Sequence, residues 1–298
     1  MTIWVDTDLG FDDLWALLFL QRAGASLAGI SLVAGNAELP QVVSNAQGAV
    51  HAYGLDAPLY RGADRPLLRP QETAARILGA DGMQTRGRRL PVGDVPLSPL
   101  SAVDALAAWL HDTQPPRQVL ALGPLTNLAH LVQRHPDAAA RITRLVWMGG
   151  SNGPGNHSPA AEFNALADPE ALACVLGAGL PLEVIDLMLC RTVTFGPQDM
   201  PDTDPLTHDL LGGYLDIGLS RGRGHMAIYD PVAALAMLHP SLFGFARTRM
   251  DVSTTPDASY GATAFTPDPA GPVQLAITTY SDDIAQLCLG ALERKDPA

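Results

Sequence analysis

Four carboxylates crowd the eight positions Asp6-Thr7-Asp8-Leu9-Gly10-Phe11-Asp12-Asp13. Like charges this close raise one another's pKa unless a cation offsets them, and helix capping accounts for only one or two of them. All-oxygen ligation points to a hard cation, Ca²⁺ or Mg²⁺, and away from zinc or copper. The stretch lacks the closing Glu of a twelve-residue Ca²⁺ loop, which excludes an EF-hand.

The flanking residues say what must position these acids. Thr2-Ile3-Trp4-Val5 is an apolar run of strand type, and the run from Leu14 to Leu20 is of helical type, so the acidic corner is a strand-to-helix turn. Ligands of open α/β sheets bind at such carboxyl ends. Downstream the alternation continues. Helices are predicted over 12–23, 40–53, 101–111, 169–176, 206–220 and 230–238, with one from Gly123-Pro124 through 133. Strands are predicted at 27–34, 59–60, 118–122, 142–148 and 182–185. Repeated β-α-β units predict one open, mostly parallel α/β sheet with helices on both faces, a Rossmann-like arrangement. The last sixty residues read as shorter, partly antiparallel strands at 249–253, 262–265 and 273–278, with a terminal helix over 281–293. Residues 62–99, broken by Pro66, Pro70, Gly79, Gly82, Gly87 and Pro91, read as one long loop, functional or disordered, and 151–167 as a polar one. No repeat or low-complexity linker divides the 298 residues, so one domain is expected.

Composition narrows the function. The net charge of −12 argues against a phosphate-backbone partner, and the one basic cluster, Arg86-Gly87-Arg88-Arg89, reads as a solvated loop. Apolar residues make up 47% without a run long enough to span a membrane, and no basic leader opens the sequence, so a cytoplasmic protein is expected. Cys174, Cys190 and Cys288 lack zinc-type spacing and are expected as buried free thiols. Trp4, Trp15, Trp109 and Trp147 fall on core patterns.

Asp-x-Asp after a first strand resembles the haloacid-dehalogenase-type phosphatases, with Asp6 as nucleophile and Asp8 as acid/base partner. That family needs a later lysine for phosphate, and the single lysine is Lys295, near the C-terminus. The whole acidic stretch is instead similar to the Asp-Thr-Asp-Pro-Gly-x-Asp-Asp signature of the inosine-uridine-type nucleoside hydrolases. The resemblance recurs in order at Ala34-Gly35-Asn36 with Asn45-Ala46, at Leu122-Gly123-Pro124-Leu125-Thr126-Asn127-Leu128-Ala129, and at Met148-Gly149-Gly150. It continues through Gly155-Asn156, Ala161-Glu162-Phe163-Asn164, Ala167-Asp168-Pro169-Glu170-Ala171 and Asp230-Pro231-Val232-Ala233.

This resemblance implies Ca²⁺ held by Asp8, Asp13, the backbone carbonyl of Leu122 and Asp230, with a bound water completing the shell. It implies ribose read by Asp12, Asn36, Asn156, Glu162 and Asn164, with Asp230 beside them. Asp8 would take the proton of that water as it attacks C1′, and Asp6 would support the loop from behind. The carboxylates would stabilise the oxocarbenium-like ribosyl of the transition state. A homodimer or homotetramer acting on a small nucleoside is implied as well.

Departures from the pattern fall at the leaving-group end. Tyr229 and Leu78 stand where many members carry histidines, and Leu9 replaces the usual Pro. A phenol, with its ordinary pKa near ~10, is a poor acid at neutral pH but donates a hydrogen bond or stacks on a base. His225, four residues before Tyr229, would face the same way on a helix. His157 beside Asn156 is a second histidine of the region, and Phe11, Met83 and Tyr229 are candidates for the base pocket. The alternative function is a nucleoside- or ribose-binding metal protein that lost catalysis with the two histidines.

Overall fold

The computed structural model describes residues 1–294, so Lys295 lies outside the described residues. The chain opens with β1 (Thr2–Thr7), α1 (Phe11–Arg22), β2 (Ser26–Leu32), α2 (Leu39–Tyr53), β3 (Leu59–Arg61) and the single turn α3 (Ala75–Leu78). Next come α4 (Ala102–Asp112), β4 (Gln118–Ala121), α5 (Thr126–Arg134), α6 (Pro136–Ala139), β5 (Arg144–Met148), α7 (Phe163–Ala167), α8 (Pro169–Gly177) and β6 (Leu182–Ile185). The last third holds α9 (Leu187–Cys190), β7 (Thr194–Phe195), α10 (Pro205–Leu219), β8 (Met226–Ala227), α11 (Asp230–Leu238), β9 (Phe243–Val252), β10 (Thr263–Pro267), β11 (Val273–Thr279) and α12 (Ile284–Gly290).

Nine strands form one sheet in the order β10-β9-β11-β6-β5-β4-β1-β2-β3. It is parallel from β3 to β11, and β9 alone runs against its neighbours. The expected α/β sheet with an antiparallel end is therefore present. Side chains alternate between two cores, as the period-2 geometry of a strand requires. Ile3, Val5, Leu120 and Val146 pack toward α1, α10 and α11, whereas Trp4, Val119, Leu145 and Trp147 pack toward α4, α5 and α8. Buried on both faces, these strands read as continuous apolar runs. Trp4, Trp15 and Trp147 are core residues, and Trp109 packs against Trp4 with ring centroids 5.8 Å apart. Core indole N–H groups are satisfied, Trp15 by the Cys288 carbonyl at 2.7 Å and Trp147 by that of Gly123 at 3.1 Å.

Several expectations are corrected. The strand expected at 249–253 begins at Phe243, because Phe243–Ala246 pairs with β11 before the segment that looked strand-like. Residues 151–167 contain α7, which the Glu162 side chain caps by accepting from the Asn164 and Ala165 N–H groups. The terminal helix is shorter than 281–293. Arg86, Arg88 and Arg89 are paired with Asp216, Asp209 and Asp81, so the basic cluster is pinned to acidic side chains, two of them on α10, and is not simply solvated. Cys190 and Cys288 are buried free thiols, while Cys174 is half-buried. Among the described residues no helix is long and apolar enough to cross a membrane.

Candidate active site

β1 is an interior strand, hydrogen-bonded to β2 on one side and β4 on the other. Its carboxyl end therefore delivers the acidic corner to the carboxyl edge of the parallel part of the sheet, where α1 starts at Phe11 and α11 starts at Asp230. Asp12, Asp13 and Asp230 present carboxylate oxygens that all lie within 4.8 Å of one another. Asp8 adjoins this trio. Its Oδ2 accepts the Asn36 N–H at 2.7 Å, and its Oδ1 is buried with no partner.

The surrounding backbone is shaped to this one side chain. A Cβ on Gly35 would lie 2.1 Å from Asp8 Oδ2, and one on Gly123 would lie 2.9 Å from Oδ1, so side chains at either position would displace the carboxylate. Asp13 is fixed from three sides: Thr7 Oγ1 donates to Oδ1 at 2.5 Å, and the Gly10 N–H and Asn36 Nδ2 donate to Oδ2 at 2.8 and 3.2 Å. Asp6 faces away from the trio. Its Oδ1 accepts from Ser31 Oγ and, at 2.8 Å, from Asn127 Nδ2, tying β1 to β2 and α5.

Burial and crowding set the electrostatics. Asp12 is pushed up to about 7, first by desolvation and then by the Asp13 charge. Asp8 stands well above the usual carboxylate range through burial and then the Asp13 charge. Asp230 is likewise raised well above that range by burial and by the charges of Asp12, Asp13 and Asp8, and Asp13 is raised by burial against its Thr7 hydrogen bond. Glu162 is pushed to about 7 by burial, and Asp6 also reaches about 7 for that reason. A divalent cation reverses this logic by favouring the charged forms. The donors fit one: all are oxygen, Asp8 Oδ1 is an orphaned buried acceptor, and the glycines hold it in place.

The Leu122 carbonyl accepts from Asn164 Nδ2 at 2.7 Å, and that same amide donates to the Met148 carbonyl at 2.9 Å. Asn164 thus bridges the ends of β4 and β5 and keeps its Oδ1 for the cavity. Asn156 accepts the Phe163 N–H at 3.0 Å, so its amide donors stay available. The Glu162 carboxylate is already engaged by the backbone N–H groups of Gly150, Asn164 and Ala165 at 2.8–3.0 Å. One open cavity, enclosing about 960 Å³ with the solvent at its mouth included, joins Asp8, Asp12, Asn36, Leu122, Asn156, Glu162, Asn164, Tyr229 and Asp230. Its size suits a small molecule.

Residues 3–284 match the inosine-uridine preferring nucleoside hydrolases. The chain belongs to this family. As a nucleoside hydrolase it is an enzyme of the N-glycosyl hydrolase class. It is 34% identical over 270 residues to the non-specific ribonucleoside hydrolase RihC of Salmonella enteritidis PT4, covering 87% of this chain and 85% of that one. Its fold matches a plant nucleoside hydrolase, PpNRh1, with a TM-score of 0.89 at 24% identity over 99% of both chains. The purine-preferring ribonucleoside hydrolase from Gardnerella vaginalis matches with a TM-score of 0.88 at 21% identity over 98% of both.

In this nucleoside hydrolase the two positions without histidine, Leu78 and Tyr229, both line the cavity. The Tyr229 hydroxyl is pushed up to about 12, by burial and then by Cys190 and Asp12, which removes it as an acid and leaves it a hydrogen-bond donor. His225 is displaced from the site. Residues 221–225 form an exposed turn and not a helix, so four-residue spacing does not align His225 with Tyr229. Phe11 and Met83 are also corrected, since neither lines the cavity. The Phe11 ring turns into the core against Tyr214 and Trp15, at 5.8 and 6.1 Å, and Met83 borders a separate cleft with Gln41 and Asp81. His157 does line it, with Nε2 2.5 Å from Glu72.

Sequence reasoning missed Tyr214, Phe163, Ile217, Met226 and the arginines 191, 221 and 223 in the cavity wall. For Tyr214, whose hydroxyl lies 3.3 Å from Asp12 Oδ2, no local signal existed. The run Arg221-Gly222-Arg223-Gly224 just ahead of Tyr229-Asp230 was a usable one.

Proposed function

We propose that this chain hydrolyses the N-glycosidic bond of ribonucleosides to free base and ribose, with Ca²⁺ as cofactor. Asp8 carries the assignment: a carboxylate with one oxygen held by the Asn36 N–H and the other buried without a partner, at the floor of the cavity and beside three more carboxylates. Asp8, Asp13, Asp230 and the Leu122 carbonyl would hold the cation. Bound there, Ca²⁺ supplies positive charge that orients sugar hydroxyls and makes an attacking water more acidic.

Asp8 accepts the proton of that water as it adds to C1′. Asp12 accepts from a ribose hydroxyl, Asn164 Oδ1 accepts from another, and Asn156 donates through its amide. Asn36 and Glu162 border the sugar and also act as positioning residues, Asn36 by holding Asp8 and Asp13 and Glu162 by capping α7. Positive charge grows on the ribosyl as the bond breaks, so the acidic floor favours the transition state over the neutral nucleoside. Tyr229 hydrogen-bonds or stacks on the departing base. Relatives named as ribonucleoside hydrolases support the substrate class.

Purified protein is expected to release ribose from uridine, cytidine, inosine or adenosine, with EDTA abolishing turnover. No release from any of the four refutes the proposal. Because Tyr229 cannot supply a proton at neutral pH, a ribose-binding protein with weakened catalysis is the second reading. Rapid cleavage of p-nitrophenyl riboside, which needs no acid, excludes it; binding of ribose without such cleavage establishes it. A homodimer or homotetramer is proposed from the family resemblance and is read by light scattering.

A further inference from the structure

The cavity is lined by groups of both charges. Its floor is acidic, yet its lining also includes three arginines, Arg191, Arg221 and Arg223, where a neutral nucleoside requires none. Arg191 is engaged by the fold itself, donating to the Pro154 and Gly155 carbonyls at 3.0 and 2.8 Å and so holding the loop that leads to Asn156. Arg221 and Arg223 have no such structural role. Both sit on the exposed turn between α10 and β8, whose backbone is tied to the Gly218 carbonyl by the Arg221 and Arg223 N–H groups at 3.1 and 3.2 Å. Among the described residues neither guanidinium makes a hydrogen bond or ion pair, although Arg86, Arg88 and Arg89 all find carboxylates in this acidic chain.

On the hydrolase reading Tyr229 meets the base, so the neighbouring turn brings this charge to the base side of the cavity. The turn runs through β8 directly into Tyr229, and Arg221, Arg223, Met226 and Tyr229 line the same cavity. An anionic group on the sugar would instead meet Asp8, Asp12 and Glu162. Resting on the hydrolase reading above, we infer that Arg221 and Arg223 select ribonucleosides whose base carries an acidic group ionised at neutral pH, over neutral isosteres of the same shape. A charge-assisted contact to a carboxylate or enolate is roughly twice as strong as a neutral one, enough for about tenfold discrimination.

The test pairs 5-carboxyuridine with its neutral isostere 5-carbamoyluridine, with uridine as reference. The ratio of kcat/KM for acid over amide is measured for wild type, Arg223→Gln and the double variant Arg221→Gln/Arg223→Gln, at low and high ionic strength, with Tm verifying the fold. Wild type is expected to favour the acid about tenfold or more at low salt. That preference should shrink with salt and approach unity in the double variant. A wild-type ratio at or below one with uridine still cleaved, or a ratio unchanged in the double variant, overturns the inference. Preferential cleavage of uridine 5′-phosphate over uridine also overturns it, by moving the anion to the sugar. Equilibrium binding of the same acid and amide reads the preference without turnover, so failure of the hydrolase reading and failure of this inference are separately visible.

Discussion

Metal removal is the most informative perturbation, because the carboxylate floor makes a prediction of both size and sign. If Ca²⁺ binds only the folded state, a concentration of 100 Kd stabilises by about 2.7 kcal/mol. For 298 residues, at about 2.1 cal/mol/K per residue, the unfolding entropy is about 0.63 kcal/mol/K, and the gain raises Tm by about 4 °C. The sign with pH follows from the raised pKa values. Asp12 at about 7, together with raised Asp8, Asp13 and Asp230, keeps protons in the folded state that the unfolded chain loses near 3.8. Metal-free stability therefore falls as pH rises from about 4 through 7. Ca²⁺ must displace those protons, so its increment is larger at pH 8 than at pH 5. Scanning fluorimetry with EDTA and with titrated Ca²⁺ at both pH values measures this. Asp8→Asn should remove the Ca²⁺ increment and raise the metal-free Tm at pH 8 by relieving repulsion. An increment equal or greater at pH 5, or no EDTA effect at pH 8, would refute the account of the floor.

Gly35→Ala forces a methyl to within 2.1 Å of the present Asp8 Oδ2 position, and should cut kcat for uridine at least a hundredfold while weakening Ca²⁺ binding by calorimetry. Tyr229→Phe should lower kcat on natural nucleosides about tenfold and leave p-nitrophenyl riboside almost unaffected, since only the former gain from a hydrogen bond to the base; equal losses on both would exclude a leaving-group role. His225→Ala, on the exposed turn outside the cavity, should leave kcat/KM within twofold of wild type in the ribose-release assay.

The acidic corner was legible in the sequence because strand, turn and helix there are contiguous, and four carboxylates in eight positions demand a local physical reason. The β-α-β alternation was legible for the same cause, since period and turn residues are local properties. Short elements were not: α7 rests on capping by Glu162 and on packing of Phe163 and Ala167 against Ala74, and the early part of β9 rests on pairing with β11. Tertiary structure alone decided what holds each aspartate. Asp8 and Asp13 are held by Asn36, which lies 28 and 23 residues away, and Asp6 is held by Asn127, 121 residues away. It also turned Phe11 inward, moved His225 out and brought Arg221 and Arg223 to the cavity wall. Spacing along a chain specifies which face a residue takes only inside a regular helix or strand. Between α10 and β8 the chain is a turn, and there the packing of distant elements determines which side chains line the cavity.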